Sequence, residues 1–371
     1  MAKKHDEKED PMEAVRFKPG KRFGLWIVEK TIDEGGFGKV YLVKNNQGKR
    51  AALKAESNEV EGGSAIKLET LILKNLNKKG PVPHVPELFA AAKRKKYCYM
   101  IMTLLGENLK ALKKYTTNDR FTPGTWSRVG IQCLYSLKYM HDCGFVHRDI
   151  KPQNFMIGNV NDKERARIIH ILDFGLSRSY AKYNESTNTW TARRARGTAE
   201  FRGTLRYTSP NVHNRMEQGR SDDLWSLLYV LIELNGSLPW QTVQTQEEVE
   251  GMKLNLPDGA LLYKMPHEVM PIPAHLRSLD YYSRPDYHMI FKCLWSVMLS
   301  AHETPKSRFD WEKNDPDPSV PPADWEKKEG PFFKLDPIGV HGPPPLDRCP
   351  AESTNVDTLN SEKTKSIIKK K

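Results

Sequence analysis

The chain has 371 residues, a formal charge of +12, 38% apolar residues and 28% charged residues, enough to bury a sizeable core in one large domain or two lobes. Five cysteines (Cys98, Cys133, Cys143, Cys293, Cys349) without CxxC spacing exclude a disulfide framework and read as reduced thiols. The positive balance favours acidic or phosphorylated partners, but Lys and Arg are mixed with acids and form no nucleic-acid module, so nucleic acid is not expected as a partner. No run is apolar enough to span a membrane, which points to a cytoplasmic or nuclear chain with no membrane partner.

Residues 1–21 are highly charged and are expected to be disordered. From Trp26 the pattern becomes strand, turn, strand: LWIVEKTI, DEGGFG, KVYLVKN, then a third strand ending at Lys54. A glycine-rich turn between strands lets backbone amides approach phosphates, and a lysine on the third strand can reach them. An ordinary hairpin with a solvent-facing lysine explains the same residues. Ser64 to Asn77 has apolar residues at helical spacing, with Ser64 as N-cap and Glu69 inside the helix. Tyr97 to Leu105 reads as a strand leading to a helix at Asn108. Thr122 to Cys143 reads as a long helix, capped by Thr122, opened by Pro123 and stopped by Gly144.

The stretch from 145 to 178 reads FVHRDIKPQNFMIG, a charged insert, then IIHILDFGLSR. Apolar segments at Phe155 to Ile157 and Ile168 to Leu172 flank polar residues that no core demands. Asp- and Gly-containing triplets suit ordinary turns, but His147-Arg148-Asp149, Lys151, Asn154 and Asp173-Phe174-Gly175 stand together with strands between them. They resemble the catalytic and metal-binding loops of eukaryotic protein kinases.

Downstream, RGTLRYTSPN, SDDLWSLLYVLIEL and Phe309-Asp310-Trp311-Glu312-Lys313 are similar to the casein kinase 1 superfamily and its tau-tubulin kinase-like branch. The likeness covers roughly residues 22–313. It implies an α+β, two-lobed protein kinase fold. A small antiparallel β-sheet lobe with one main helix would occupy about 22–105, and a large, mainly α-helical lobe about 106–313. A Pro-rich and basic tail would follow at 314–371, with Trp325, Phe332 and Phe333 pinning part of it to the body.

The resemblance also implies transfer of the γ-phosphate of ATP, with Mg2+, to serine or threonine hydroxyls of protein substrates, acidic or cytoskeletal, by a monomeric enzyme. Such chemistry needs positioning and charge stabilisation more than covalent work. Asp149 would accept the hydroxyl proton and Lys151 would neutralise the moving phosphoryl group. Asn154 and Asp173 would offer hard oxygen ligands to Mg2+. Ile32, Gly35, Gly38 and Val40 would cover the nucleotide, and Lys54, paired with Glu69, would hold its phosphates. Met102 would gate the adenine pocket, with Thr103 and Leu105 lining it. Asp223 would anchor the catalytic loop, His147 would brace it, and Arg206 would take a substrate anion.

There are departures from the family pattern. Asp33 stands where the first glycine of the turn is usual, Ser209-Pro210-Asn211 where Ala-Pro-Glu is usual, and Gln244 where the anion site has a lysine. Asp33 and Gln244 motivate the alternative of a catalytically weak or inactive kinase-fold scaffold. By likeness to casein kinase 1, activity is expected without prior phosphorylation of Thr187, Thr189 or Thr191.

Overall fold

Period-two runs of β-branched and aromatic residues build the smaller lobe. The structure, a computed structural model, describes residues 12–36, 38–59, 63–314 and 331–344. Strands β1 (Arg22–Phe23), β2 (Trp26–Gly35), β3 (Gly38–Asn45) and β4 (Arg50–Ser57) are followed by helix α1 (Ile66–Leu76), then β5 (Leu88–Lys93) and β6 (Tyr97–Thr103). They form a six-stranded antiparallel sheet in the order β1-β2-β3-β4-β6-β5.

Side chains alternate across a strand, and on β4 this parity separates packing from chemistry. Ala51, Leu53 and Ala55 join Val43, Tyr99 and Ile101 in a core on the outer face. Ala52, Lys54 and Glu56 therefore point to the other face, toward α1. On α1 the buried positions are Ile66, Glu69, Ile72, Leu73 and Leu76. The same spacing that turns its apolar stripe inward therefore carries one carboxylate with it.

Ser64 does supply a side-chain cap, one residue before the cap position itself, which falls on Ala65: its hydroxyl accepts from the Ile66 amide at 3.2 Å and donates to the Glu56 carboxylate at 2.8 Å. One expectation for this lobe needs correction: the predicted disorder of residues 1–21 reaches too far. Val15 is fully buried, the Tyr41 hydroxyl donates to its carbonyl and accepts from the Phe17 amide, and the Phe17 ring meets Phe23 edge-on. The outer sheet face needs apolar cover, and Val15 and Phe17 supply it despite the charged residues around them. Residues 1–11 lie outside the described residues.

The larger lobe begins with β7 (Leu105–Asn108), α2 (Leu109–Lys113) and α3 (Pro123–Asp142). Strands β8 (Phe145–Val146), β9 (Phe155–Gly158), β10 (Ile169–Ile171), β11 (Arg178–Ser179), β12 (Ala181–Asn184) and β13 (Thr189–Ala192) pair in short sheets beneath the cleft. Helices α4 (Pro210–His213), α5 (Arg220–Asn235), α6 (Gln246–Asn255), α7 (Asp258–Leu261), α8 (Pro271–Arg277) and α9 (Tyr287–Ser300) complete its body. This two-lobed α+β arrangement is the one the sequence implied.

The long helix α3 is the lobe's axis. Thr122 accepts from the Thr125 amide at 3.3 Å, as its cap position predicted. Gly130 lets α5 and α9 close on it: a Cβ there would lie 3.0 Å from Leu231 and 3.2 Å from Leu294. Gly144, at φ +84°, ends it where a Cβ would strike the Ala181 carbonyl at 2.8 Å. The turn from α3 into the next loop therefore requires glycine.

A last short helix, α10 (Pro331–Lys334), lies on the back of α3 and α9. Phe332 stacks on Tyr135 at 4.1 Å and Phe333 on Phe291 at 4.7 Å between ring centroids. Arg284 Nη2 donates to the carbonyls of Phe333 and Leu335 at 3.2 and 2.7 Å. Ile338 then packs with Val146, Tyr180 and Ala181. Of the three aromatic residues expected to pin the tail, Trp325 lies outside the described residues. Among the described residues no helix is long and apolar enough to cross a membrane.

Candidate active site

A cleft of about 2190 Å³ opens between the lobes, lined by both glycine-turn strands, α1 and the loops after β8 and β10. It is larger than a small-molecule pocket requires. In its roof, Gly35 pairs with Gly38 across the β2–β3 turn. The two glycines differ in need. A Cβ on Gly35 would meet nothing, whereas one on Gly38 would fall 2.2 Å from the Ala55 carbonyl and 2.9 Å from the Glu56 Cγ. Asp33 is exposed on β2, with its carboxylate accepting from the Glu34 amide at 2.9 Å. Ile32 and Val40 line the cleft below the turn.

Lys54 Nζ lies 2.6 Å from Glu69 Oε1, 3.2 Å from Glu56 Oε1 and 3.8 Å from Asp173 Oδ1. Burial works to lower the pKa of this ammonium, but the charges of Glu69, Asp173 and Glu56 together outweigh it and raise the value. Burial pushes the Glu69 carboxyl up to about 6 against the pull of Lys54.

The floor of the cleft is the loop after β8. Asp149 Oδ1 accepts from the Thr204 amide at 3.0 Å and the Thr204 hydroxyl at 2.7 Å, and Oδ2 accepts from Lys151 Nζ at 2.6 Å. Asn154 Nδ2 donates to the Asp149 carbonyl at 2.8 Å, which leaves its amide oxygen as an acceptor. The loop is held from below by Asp223, at the start of α5. Its carboxylate accepts from the amides of His147 and Arg148 at 2.7 and 2.8 Å, and meets His141 Nε2 at 2.9 Å. Burial opposes ionisation of Asp223, but the hydrogen bond and charge of His141 lead a set of interactions that hold its pKa below the usual carboxylate value. Arg148 takes φ +69°, an unfavourable backbone angle that these bonds support. His147 contacts the Leu172 carbonyl through Nε2 at 2.9 Å and packs on Phe174. It thus braces the loop.

Asp173, also left-handed at φ +63°, turns its half-exposed carboxylate into the cleft. Burial opposes its ionisation, but Lys54, His147 and Lys151 hold its pKa below the ordinary value. At the back, Met102 and Leu105 are buried against the cleft. Thr103 lines it as well, but its amide donates to the Glu87 carbonyl and its hydroxyl accepts from the Glu87 amide. Arg206 is committed elsewhere: Nη1 donates to Glu233 Oε1 at 3.0 Å and Gln241 Oε1 at 2.7 Å. A carboxylate already occupies that guanidinium, which departs from the expected anion site.

Four residues escaped the sequence reading. Thr204 reaches Asp149 from 55 positions away, a separation no local pattern encodes. Glu56 joins Lys54, and strand parity alone could have signalled it. Glu217 is buried beneath the segment after Gly175 and is chelated by Arg196, with Arg178 Nε 3.7 Å away. Lys253 on α6 buries its ammonium under the Leu205 and Thr208 carbonyls at 2.6 and 2.7 Å.

The residues present suit magnesium and a nucleotide. Among the described residues no cluster of three or more His, Cys, Asp or Glu side chains is placed to hold an ion. A cation here would lean on Asp173, the Asn154 amide oxygen and phosphate oxygens, and magnesium favours such sparse oxygen sets. Lys54 faces the same space, and Gly38 keeps the roof free of a side chain where it crosses β4.

Fold and site together define a two-lobed protein kinase architecture, and the model of the protein kinase domain matches residues 26–300, so the chain belongs to the protein kinase family. Its relatives narrow the branch to tau-tubulin kinase-like and casein kinase I proteins. The chain is 53% identical over 281 residues to the inactive tau-tubulin kinase ttbk-6 of Caenorhabditis elegans, covering 75% of this chain and 97% of that one. It is 37% identical to a putative serine/threonine-protein kinase of the same nematode, over 84% of this chain and 87% of the relative. The casein kinase I homolog 3 of Schizosaccharomyces pombe is 32% identical, over 76% and 64% respectively.

Proposed function

We propose that this chain is an active serine/threonine protein kinase that transfers the γ-phosphate of Mg-ATP to protein hydroxyls. The observation that carries the reading is the unbroken constellation in one cleft: Lys54 on Glu69, and Asp149 on Thr204, Lys151 and Asn154. When bound, Mg-ATP supplies the phosphoryl group and a cation to offset its charge. Lys54, held by Glu69, orients the phosphates. Asp149, aimed by Thr204 and Lys151, accepts the proton of the attacking hydroxyl. Lys151 lies beside it to offset charge on the transferred group. Asn154 and Asp173 supply the protein oxygens for the metal.

The segment after Gly175 is already moored. Arg196 and Arg178 gather on the buried Glu217, and the Ala199 amide donates to the Arg215 carbonyl. This supports activity without prior phosphorylation of Thr187, Thr189 or Thr191. Recovery of activity only after an upstream kinase has acted on them would contradict it.

A second reading, a kinase-fold scaffold without catalysis, is favoured by Asp33 in the glycine turn and by the name of the relative that is 53% identical. Radiolabelled transfer from Mg-ATP to casein, with phosphoamino-acid analysis, separates the two. The parent chain is expected to label serine or threonine. Asp149→Asn places an amide against the Lys151 ammonium and is expected to lose about 10²- to 10⁴-fold in rate. Absence of label on both casein and a basic substrate would establish the scaffold instead.

A further inference from the structure

Glu56 has no place in the mechanism above, yet it is 4% exposed and its carboxylate is fully used. Oε1 lies 3.2 Å from Lys54 Nζ. Oε2 accepts from the Ser64 hydroxyl at 2.8 Å and from the Ala65 amide at 2.9 Å. Ala65 immediately precedes α1 and its own side chain provides no cap, while the Ser64 hydroxyl that Glu56 holds accepts from the Ile66 amide at 3.2 Å. The first turn of a helix presents unpaired amides and a partial positive charge, both of which a carboxylate satisfies. Glu56 thus does from the neighbouring strand what a capping residue does from within the chain. One turn further along, Glu69 returns to the same ammonium at 2.6 Å. Helix α1 is therefore tied to β4 at two points that share Lys54. The glycine turn covers the arrangement, because Gly38 sits opposite Glu56 in the β3–β4 register and leaves no room for a Cβ above its Cγ.

We propose that Glu56 is a positioning residue, a latch that fixes the first turn of α1 against β4 and so holds the Lys54–Glu69 pair formed before nucleotide binds. The proposal rests on the phosphoryl-transfer reading, in which the placement of this helix decides whether Lys54 is usable. Without the latch α1 spends part of its time displaced. Nucleotide then binds only the fraction with the pair formed, so its apparent affinity falls by that fraction, while saturating nucleotide restores the assembled state.

The test compares the full chain with Glu56→Ala and the milder Ser64→Ala by amide hydrogen exchange, with and without Mg-ADP, and by steady-state transfer to casein. In Glu56→Ala, exchange across residues 64–70 is expected to quicken about tenfold or more and to slow again with Mg-ADP, while α3 is unchanged. KM for ATP is expected to rise about tenfold with kcat within about threefold of the parent. Ser64→Ala should move the same quantities in the same direction by less. Unchanged α1 exchange and unchanged KM for ATP in Glu56→Ala would overturn the latch. So would faster exchange throughout the small lobe that Mg-ADP does not reverse, since that marks general destabilisation. Should Glu56→Ala not fold, Glu56→Gln, which keeps the side-chain volume but removes the charge, decides by the same two readouts, because Ser64→Ala also removes the hydroxyl that accepts from the Ile66 amide. If the parent transfers no phosphate, the kinase reading fails while the exchange arm still decides the latch.

Discussion

Replacing Phe333 by alanine tests whether the short tail segment is part of the folded body. Phe333 is 1% exposed, stacked on Phe291 at 4.7 Å and set edge-on to Tyr135 at 6.3 Å. Deleting a buried aromatic ring costs about 3–5 kcal/mol where the surroundings cannot rearrange. Here they can in part, because so short a helix as α10 can detach from α3 and α9 and recover its conformational entropy, about 1–2 kcal/mol per backbone residue freed. Detachment therefore limits the loss, and we expect about 2–4 kcal/mol. For a chain of this size that corresponds to a fall in Tm of roughly 4–10 °C. Urea and thermal unfolding of the parent and variant measure it without reference to catalysis. Leu335→Ala in the same segment is the control, since Leu335 is 62% exposed and its truncation should stay within about 0.5 kcal/mol. A Phe333→Ala chain as stable as the parent, or a Leu335→Ala chain as damaged as Phe333→Ala, would refute the packing argument.

Asp33→Gly removes a carboxylate from the roof and should tighten Mg-ADP binding about two- to tenfold, the effect of one exposed like charge several ångströms from the phosphates; weaker binding would show that Asp33 helps the turn more than it repels. Lys253→Met leaves the Thr208 carbonyl without the lysine and the Leu205 carbonyl with only the Thr208 hydroxyl, beneath the segment that presents Thr204 to Asp149, and should cost about 1–3 kcal/mol for the orphaned acceptor and slow transfer; parent-like unfolding and transfer rate would exclude that support. Burial holds the imidazole of His170 down at about 3 and that of His213 at about 4. Both stay neutral in the folded chain at pH values where the unfolded chain takes up protons. Stability is therefore full above the ordinary histidine value near 6.5 and is lost as pH falls toward 4, by at most about 1.4 kcal/mol per pH unit per histidine. The slope of Tm between pH 7 and 4.5 should be shallower in His170→Gln, and an unchanged slope would remove His170 as a contributor.

The residues of the catalytic loop were legible because their backbone is peculiar and local. Asp149, Lys151 and Asn154 fall within six positions of one another, so one loop conformation fixes all three and their spacing is visible in the chain. Glu69 was legible through its helix, whose apolar spacing turns one carboxylate inward. Partners brought in by tertiary packing left no such trace. Thr204 is recruited from beyond a hairpin, and Glu233 reaches Arg206 from α5, so a cation that looks available in the sequence is already paired. Glu56 was obscured differently: a charged residue two positions after a lysine on a strand usually marks a solvated face, and only the covering helix and glycine turn make that face an interior. In residues 12–21 the charged composition outweighed Val15 and Phe17, although two apolar side chains were enough to secure the segment.

The anchoring of each half of the site has a consequence for how the molecule moves. Asp149 is fixed through Asp223 to the helices of the large lobe, whereas Lys54 and Glu69 belong to the sheet and helix of the small one. Lys54 and Asp173, 3.8 Å apart, face each other across that division. A rocking of the lobes about the β6–β7 connection would deform neither cluster, but would lengthen this gap together with the Tyr139–Leu76 and His84–Ile169 hydrogen bonds that also join the lobes. The width of the gap is thus a built-in gauge of cleft opening, on which a pair of spectroscopic labels at neighbouring surface positions can report while both halves of the chemistry stay intact.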